Sequence, residues 1–290
     1  MTLWTDFFGA ELRFVSTPGF GRTRIAEAGA KNAEALILMH GIGGHLEAYA
    51  RNVVALADRY RVVAFDFVGH GLSEKKLDLD YTPDAYAEHL RELMDALGIE
   101  KAHVSGESLG GWVTGKFALR YPGRVMKLVL NTSAGLPIVT DKGRQDLVNL
   151  VELSKKSAGQ PPAFDSVLAR MKWLMHPQNW GLLTEELVNT RLRIYSDPDA
   201  QRAAPLVQKQ LSRNNPDDLI AFEGLSADTL FLWTRDNPVH DVAAAEAACA
   251  RTPRGQMYVM KADAAHWPQY EAPDEFNAVV RRFLSTGEAS

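Results

Sequence analysis

Cysteine is nearly absent from this 290-residue chain: Cys249 is the only one, so no intrachain disulfide can form. That usage fits a reducing compartment, and the expected location is the cytoplasm. A basic excess is also missing, with 32 Lys and Arg against 36 Asp and Glu and a formal charge of −4. Such a balance cannot neutralise a phosphate backbone, which argues against nucleic acid as a partner. No stretch reaches the ~20 consecutive apolar residues that span a bilayer, so no membrane partner is expected. The first residues, Met1 to Phe8, carry an early acid and no basic flank, unlike a secretory leader. Zinc-protease, P-loop and G-x-G-x-x-G signatures are lacking, and no cofactor or metal is expected. What remains is an ordinary globular composition, 46% hydrophobic and 23% charged, with a small molecule as the expected partner. A homo-oligomer is left open.

Short apolar runs alternate with helical patterns. Glu11 to Val15 and Arg24 to Glu27 read as a hairpin turning through Pro18 to Gly21. Ala35 to Met39, Arg61 to Phe67, Ala102 to Val104 and Val125 to Leu130 are continuous apolar runs, as in parallel strands covered on both faces. Helices are predicted over Tyr49 to Asp58, Pro83 to Leu97 (N-capped by Thr82) and Leu109 to Arg120. Residues 137–224 turn polar and helical. The strand pattern then resumes at Thr229 to Trp233 and Gln256 to Met260, with helices over Ala243 to Ala250 and Pro273 to Leu284. The predicted class is a doubly wound, mostly parallel α/β sheet. Its core is expected over 1–136 and 225–290, with a helical cap inserted over 137–224.

Gly106-Glu107-Ser108-Leu109-Gly110 fits G-x-S-x-G between a strand and a helix. Two glycines permit a tight turn that lifts the Ser108 hydroxyl above the sheet, and the helix behind it offers N–H groups to an oxyanion. A hydroxyl needs a base. His266, in the loop before the last helix, follows the serine in the order this arrangement requires. Asp236 is the expected third member, orienting the imidazole, with Asp241 the alternative. The turn is irregular: Thr234 stands where a glycine is usual, and Asn237 stands where the aspartate would register. The expected oxyanion donors are the backbone N–H groups of Ile42 and Leu109. His40 is read as anchoring the loop after its strand, and the 66–73 stretch as a structural turn. His45, His89, His103, His176 and His240 are read as structural.

As a set, H-G-x-G-G at 40–44, D-x-x-G-x-G-x-S at 66–73, G-x-S-x-G at 106–110 and the final acid and His resemble the α/β-hydrolase superfamily. Ser108 in place of an aspartate excludes dehalogenase and epoxide-hydrolase chemistry. His266-Trp267-Pro268-Gln269-Tyr270-Glu271, followed by Asp274-Glu275-Phe276-Asn277, resembles a segment of the meta-cleavage-product hydrolases. Those enzymes split a C–C bond in 2-hydroxy-6-oxo-hexa-2,4-dienoates. The resemblance implies a carboxylate-binding role for Arg191, on the helix opening at Thr184. It implies pocket roles for Trp267, Gly41 and Gly43, and an apolar distal wall from Leu174 and Met175. Three departures stand out: Glu107 where Asn is usual, a short loop after His40-Gly41, and the irregular acid turn. An ester or lactone substrate therefore stays open beside the dienoate, as does a non-catalytic small-ligand binder.

Overall fold

The computed structural model describes residues 2–157, 160–209 and 218–290. A short helix α1 (Leu3–Asp6) precedes the hairpin β1 (Glu11–Thr17) and β2 (Gly21–Ala28). Strand β3 (Ala35–Met39), a 3₁₀ turn Leu46–Tyr49 with helix α2 (Ala50–Val53), β4 (Arg61–Phe65) and α3 (Pro83–Ala96) follow. Then come β5 (Ala102–Glu107), α4 (Leu109–Arg120) and β6 (Val125–Asn131). Among the described residues, the stretch expected as the cap holds the α-helices α5 (Asp141–Ser157), α6 (Phe164–Leu174), α7 (Glu185–Tyr195) and α8 (Pro198–Gln208), with a 3₁₀ helix at Pro177–Leu182. The chain closes with β7 (Asp228–Trp233), α9 (Val242–Arg251), β8 (Gly255–Val259), α10 (Pro268–Glu271) and α11 (Pro273–Thr286).

The strands form one sheet in the order β1-β2-β4-β3-β5-β6-β7-β8. The β1–β2 and β2–β4 pairings are antiparallel, and every pairing from β4–β3 to β7–β8 is parallel. Strands β3, β4 and β5 are buried along their whole length, as a sheet covered on both faces requires. Chain order reverses between β3 and β5, so a crevice opens beyond their carboxyl ends, where ligands bind in such sheets.

One expected element is shorter than its pattern. Tyr49 to Asp58 is helical only as far as Val53, and turns occupy 54–59. Thr82 caps α3 as expected, its Oγ1 accepting from the Ala85 N–H at 3.0 Å. The 66–73 turn has a structural centre. Asp66 accepts from the Leu46 and Leu72 amides at 2.7 and 2.8 Å and from Arg24 Nε at 2.6 Å. Apolar residues of α6 and α7, including Met171, Leu174 and Val188, pack in the same buried cluster as Tyr49, Trp267 and Tyr270. The helices between β6 and β7 thus bury their apolar stripes over the crevice end of the sheet.

Candidate active site

Ser108 sits at the β5–α4 junction with φ 54° and ψ −114°, a strained conformation for a side-chain-bearing residue. Its neighbours enforce it. A Cβ on Gly106 would lie 2.1 Å from the Gly110 carbonyl, and one on Gly110 would lie 2.3 Å from the Met39 carbonyl oxygen. Only glycine fits either place. The elbow is tied down by Ser108 N–H to Asn131 O at 3.2 Å. The Ser108 carbonyl accepts from the Trp112 and Ala134 amides at 3.1 and 2.9 Å.

His266 reaches the same cavity from the loop after β8. Its N–H donates to Leu174 O at 2.9 Å, and its carbonyl accepts from Thr132 Oγ1 at 2.9 Å. Glu271 clamps the loop from below: Oε1 accepts from the Ala265 and Trp267 amides at 3.0 and 3.1 Å. Its Oε2 accepts from His176 N–H at 2.8 Å and Asn179 Nδ2 at 2.9 Å. Gln269 Oε1 accepts from Asn131 Nδ2 at 2.7 Å. The polar residues of the 266–271 segment are therefore braces for the histidine.

The partner of His266 Nδ1 is Asn237, whose Oδ1 lies 2.7 Å away. This corrects the expectation of an aspartate. Asp236 faces outward, its side chain 54% exposed and its carboxylate 3.8 Å from His176 Nε2. Asp241 instead caps α9, accepting from the Ala244 amide at 3.1 Å and from the Thr140 hydroxyl. Asn237 is 1% exposed and donates through Nδ2 to His240 O. That donation turns Oδ1 toward the ring, so Nδ1 carries the hydrogen and Nε2 presents its lone pair to the cavity.

Glu107 meets that lone pair. Its Oε1 lies 3.2 Å from His266 Nε2 and its Oε2 accepts from the Gly41 amide at 2.6 Å. The residue is 2% exposed. Burial pushes its carboxyl up to about 8, against the Gly41 hydrogen bond and the positive charge of Arg191. Burial likewise lowers His266 to about 3, helped by His240 and Arg170. Both shifts favour the uncharged forms, so the Glu107 carboxyl and the His266 ring face each other as a close pair of groups that burial resists charging.

Ile42 and Leu109, the expected oxyanion donors, both line the cavity, as do Gly41, Leu174 and Trp267. Gly43 and Met175 do not. Gly43 instead accepts at its carbonyl from the Tyr195 hydroxyl at 2.6 Å, and Met175 is buried in the core. Arg191 is also off the wall. It is 2% exposed, stacked 4.6 Å over the Trp267 ring, with Nε donating to His45 Nε2 at 3.3 Å. Helix α7 turns its buried face onto the 40–45 loop, and Arg191 goes with it.

The cation on the wall is Arg170 of α6. Its Nη1 donates to Ser154 Oγ at 2.8 Å, and no carboxylate pairs with it among the described residues. Burial lowers it from the ordinary guanidinium value. The sequence held a signal for it: Val167, Met171 and Leu174 are the buried residues of α6, and Arg170 falls on their face. The cavity measures about 340 Å³, and Trp112, Leu136, Ile138, Leu150 and Trp173 make most of its wall apolar. Among the described residues no group of three or more His, Cys, Asp or Glu side chains is arranged to hold a metal ion.

A nucleophile elbow, a histidine after the last strand and a helical roof match the family model described as alpha/beta hydrolase fold, over residues 34–273. The chain belongs to the α/β-hydrolase fold family. Among curated relatives, a 2-hydroxy-6-oxononadienedioate/2-hydroxy-6-oxononatrienedioate hydrolase of Comamonas testosteroni is 29% identical over 280 residues. The match covers 94% of this chain and 95% of that one. A dihydrolipoyllysine-residue acetyltransferase component of an acetoin cleaving system, from Cupriavidus necator, is also 29% identical, over 95% of this chain and 69% of that protein. A solved structure of a 2-hydroxy-6-oxo-6-phenylhexa-2,4-dienoate hydrolase from Rhodococcus sp. strain RHA1 superimposes with a TM-score of 0.83 at 23% identity. It covers 96% of this chain and all of that one, and shares the α/β-hydrolase fold.

Proposed function

We propose that this α/β-hydrolase cleaves a C–C bond in a 2-hydroxy-6-oxo-hexa-2,4-dienoate through Ser108, His266 and Asn237. The supporting observation is one cavity that gathers the strained Ser108, the Nδ1-oriented His266 and the guanidinium of Arg170, which has no carboxylate partner among the described residues. The relative named as a dienedioate hydrolase, matched along nearly the whole chain, supports the substrate class.

In this reading the dienoate carboxylate lies against Arg170, whose planar fork suits two carboxylate oxygens. The 6-substituent fills the apolar wall. After ketonisation of the dienol, Ser108, or water activated beside it, adds to the C6 carbonyl and its proton passes to His266 Nε2. The new oxyanion sits between the Ile42 and Leu109 amides. Returning the proton to carbon breaks the C–C bond and releases a 2-hydroxypentadienoate; where Ser108 was the nucleophile, a water then hydrolyses the acyl-Ser108 ester to the carboxylic acid, and where water added, the carboxylic acid forms directly. The test is bleaching of yellow 6-phenyl and 6-methyl dienolates by purified protein, absent in Ser108→Ala. No bleaching with any 6-substituent overturns the substrate assignment.

A second reading, a carboxylesterase with the same residues, is favoured by Glu107, which replaces the Asn found in the C–C hydrolase pattern. Turnover of p-nitrophenyl butyrate with inert dienolates selects it.

A further inference from the structure

The pairing of His266 leaves a charge unaccounted for. When an imidazole takes a serine proton it becomes a cation, and a carboxylate normally faces it on the Nδ1 side. Here that side carries the neutral carboxamide of Asn237, while Asp236 and Asp241 are engaged elsewhere. The carboxyl group that touches the ring is Glu107, on the Nε2 side.

We propose that Glu107 has taken over the anionic role: it is the positioning residue that leaves the His266 imidazolium without a countercharge when protonated and stabilises it when ionised. The inference rests on the Ser108–His266 reading and deepens it. Glu107 is placed for both states. It is the residue before the nucleophile, fixed by the Gly41 N–H at 2.6 Å, with its free oxygen at 3.2 Å from the base nitrogen. As an acid it is neutral and gives a protonated His266 no countercharge. As a carboxylate it puts a negative charge 3.2 Å from Nε2. The Ser108 hydrogen then passes to Nε2, and Glu107 remains an anion beside the new cation.

The charged and titratable groups around the pair act in defined directions. Arg191 of α7 favours the Glu107 anion, and the buried Tyr49 lies close enough to feel its charge. His240 and Arg170 both disfavour a charged His266. In that setting a neighbouring anion is what makes the imidazolium accessible. The apparent titration belongs to the Glu107–His266 pair. Its active form gains as pH rises through about 8, the value to which burial pushes the Glu107 carboxyl.

The experiment uses the full chain and a fluorophosphonate probe, which needs no knowledge of the natural substrate. Ser108 Oγ bonds to phosphorus, the P–F bond breaks, fluoride leaves and the proton goes to His266. Rates are read by intact mass between about pH 6 and 10. The wild-type rate should climb about tenfold or more through pH ~8. Glu107→Gln should lose that climb and fall about tenfold or more on the alkaline side. Adding Asn237→Asp to Glu107→Gln should restore at least about tenfold, by returning a carboxylate to the Nδ1 side. A Glu107→Gln protein with the wild-type rate and profile overturns the inference and leaves the nucleophile reading standing. A wild-type chain that is never labelled at Ser108 removes both. Imidazole ¹⁵N NMR on the wild type gives a readout that no variant's folding can spoil. The His266 Nε2 signal should move over the pH range where labelling accelerates, while Nδ1 stays protonated. An Nε2 signal indifferent to that range overturns the inference.

Discussion

Asn237 Oδ1 lies 2.7 Å from His266 Nδ1, and the other end of the same carboxamide is spent on the His240 carbonyl. An amide is ambiguous as an orienting group, since either end can face the ring. The second hydrogen bond removes the ambiguity. Asn237→Ala should therefore free the imidazole to rotate and change tautomer. The expected outcome is a fall in kcat on the order of 10³–10⁴, with KM nearly unchanged. Steady-state kinetics on whichever substrate class proves active checks this. A kcat within about twofold of wild type would exclude the orienting role.

Arg170 and Arg191 should separate cleanly. Arg170→Met should raise KM for a carboxylate-bearing substrate by about tenfold or more, one charge-assisted contact being worth roughly 1.5–3 kcal/mol. It should leave uncharged p-nitrophenyl esters almost untouched. Arg191→Met should instead lower thermal stability, because it strips a stacked cation from Trp267 and a donor from His45. Equal KM effects from both variants would contradict the placement of Arg191 behind the wall.

Gly106→Ala should not tolerate the native elbow. The added methyl would lie 2.1 Å from backbone atoms of Gly110, which no side-chain rotation relieves. A loss of ~3 kcal/mol or more is expected, at the upper end for overpacking. Thermal denaturation of Gly106→Ala beside Ser108→Ala tests it, since the serine variant should melt close to wild type.

Stability should peak near neutral pH. Burial lowers His40 and His240 to about 4 and His89 and His266 to about 3, against 6.5 for a free imidazole. Unfolding below that free value therefore takes up protons, and stability falls as pH drops from about 7 toward 4. Glu107 and Glu271 act oppositely. Their raised folded values make stability fall as pH rises from 4.5, through about 8 for Glu107. The histidines outnumber them on the acid side, and the carboxyls decide the alkaline side. Melting temperature against pH should trace a dome, and a monotonic curve would contradict these burials.

Sheet strands and the elbow were legible because their signals are local. Apolar runs without alternation mark covered strands, and the glycines of G-x-S-x-G report a backbone that only they can adopt. His266 was legible through chain order. Asp236 and Asn237 show where such reading stops. Adjacent residues in a turn point opposite ways, and the one that reaches the imidazole is held by its own hydrogen bond to His240 O, a carbonyl that Trp233 also binds. Arg191 shows a second limit: amphipathic spacing places a residue on a buried face without saying what that face covers. For α7 it is the 40–45 loop; for α6 it is the cavity, so Arg170 faces the space expected for Arg191.

Glu271 joins the histidine-bearing loop to the start of the segment that follows α6, with two amides on one oxygen and two donors on the other. Roof and base are riveted together at that corner. Lifting the roof there would pull the imidazole off station, so a ligand exchange that opened this corner would also displace the base. Loading and discharge that keep the Glu271 contacts closed leave the proton-handling residues undisturbed between turnovers.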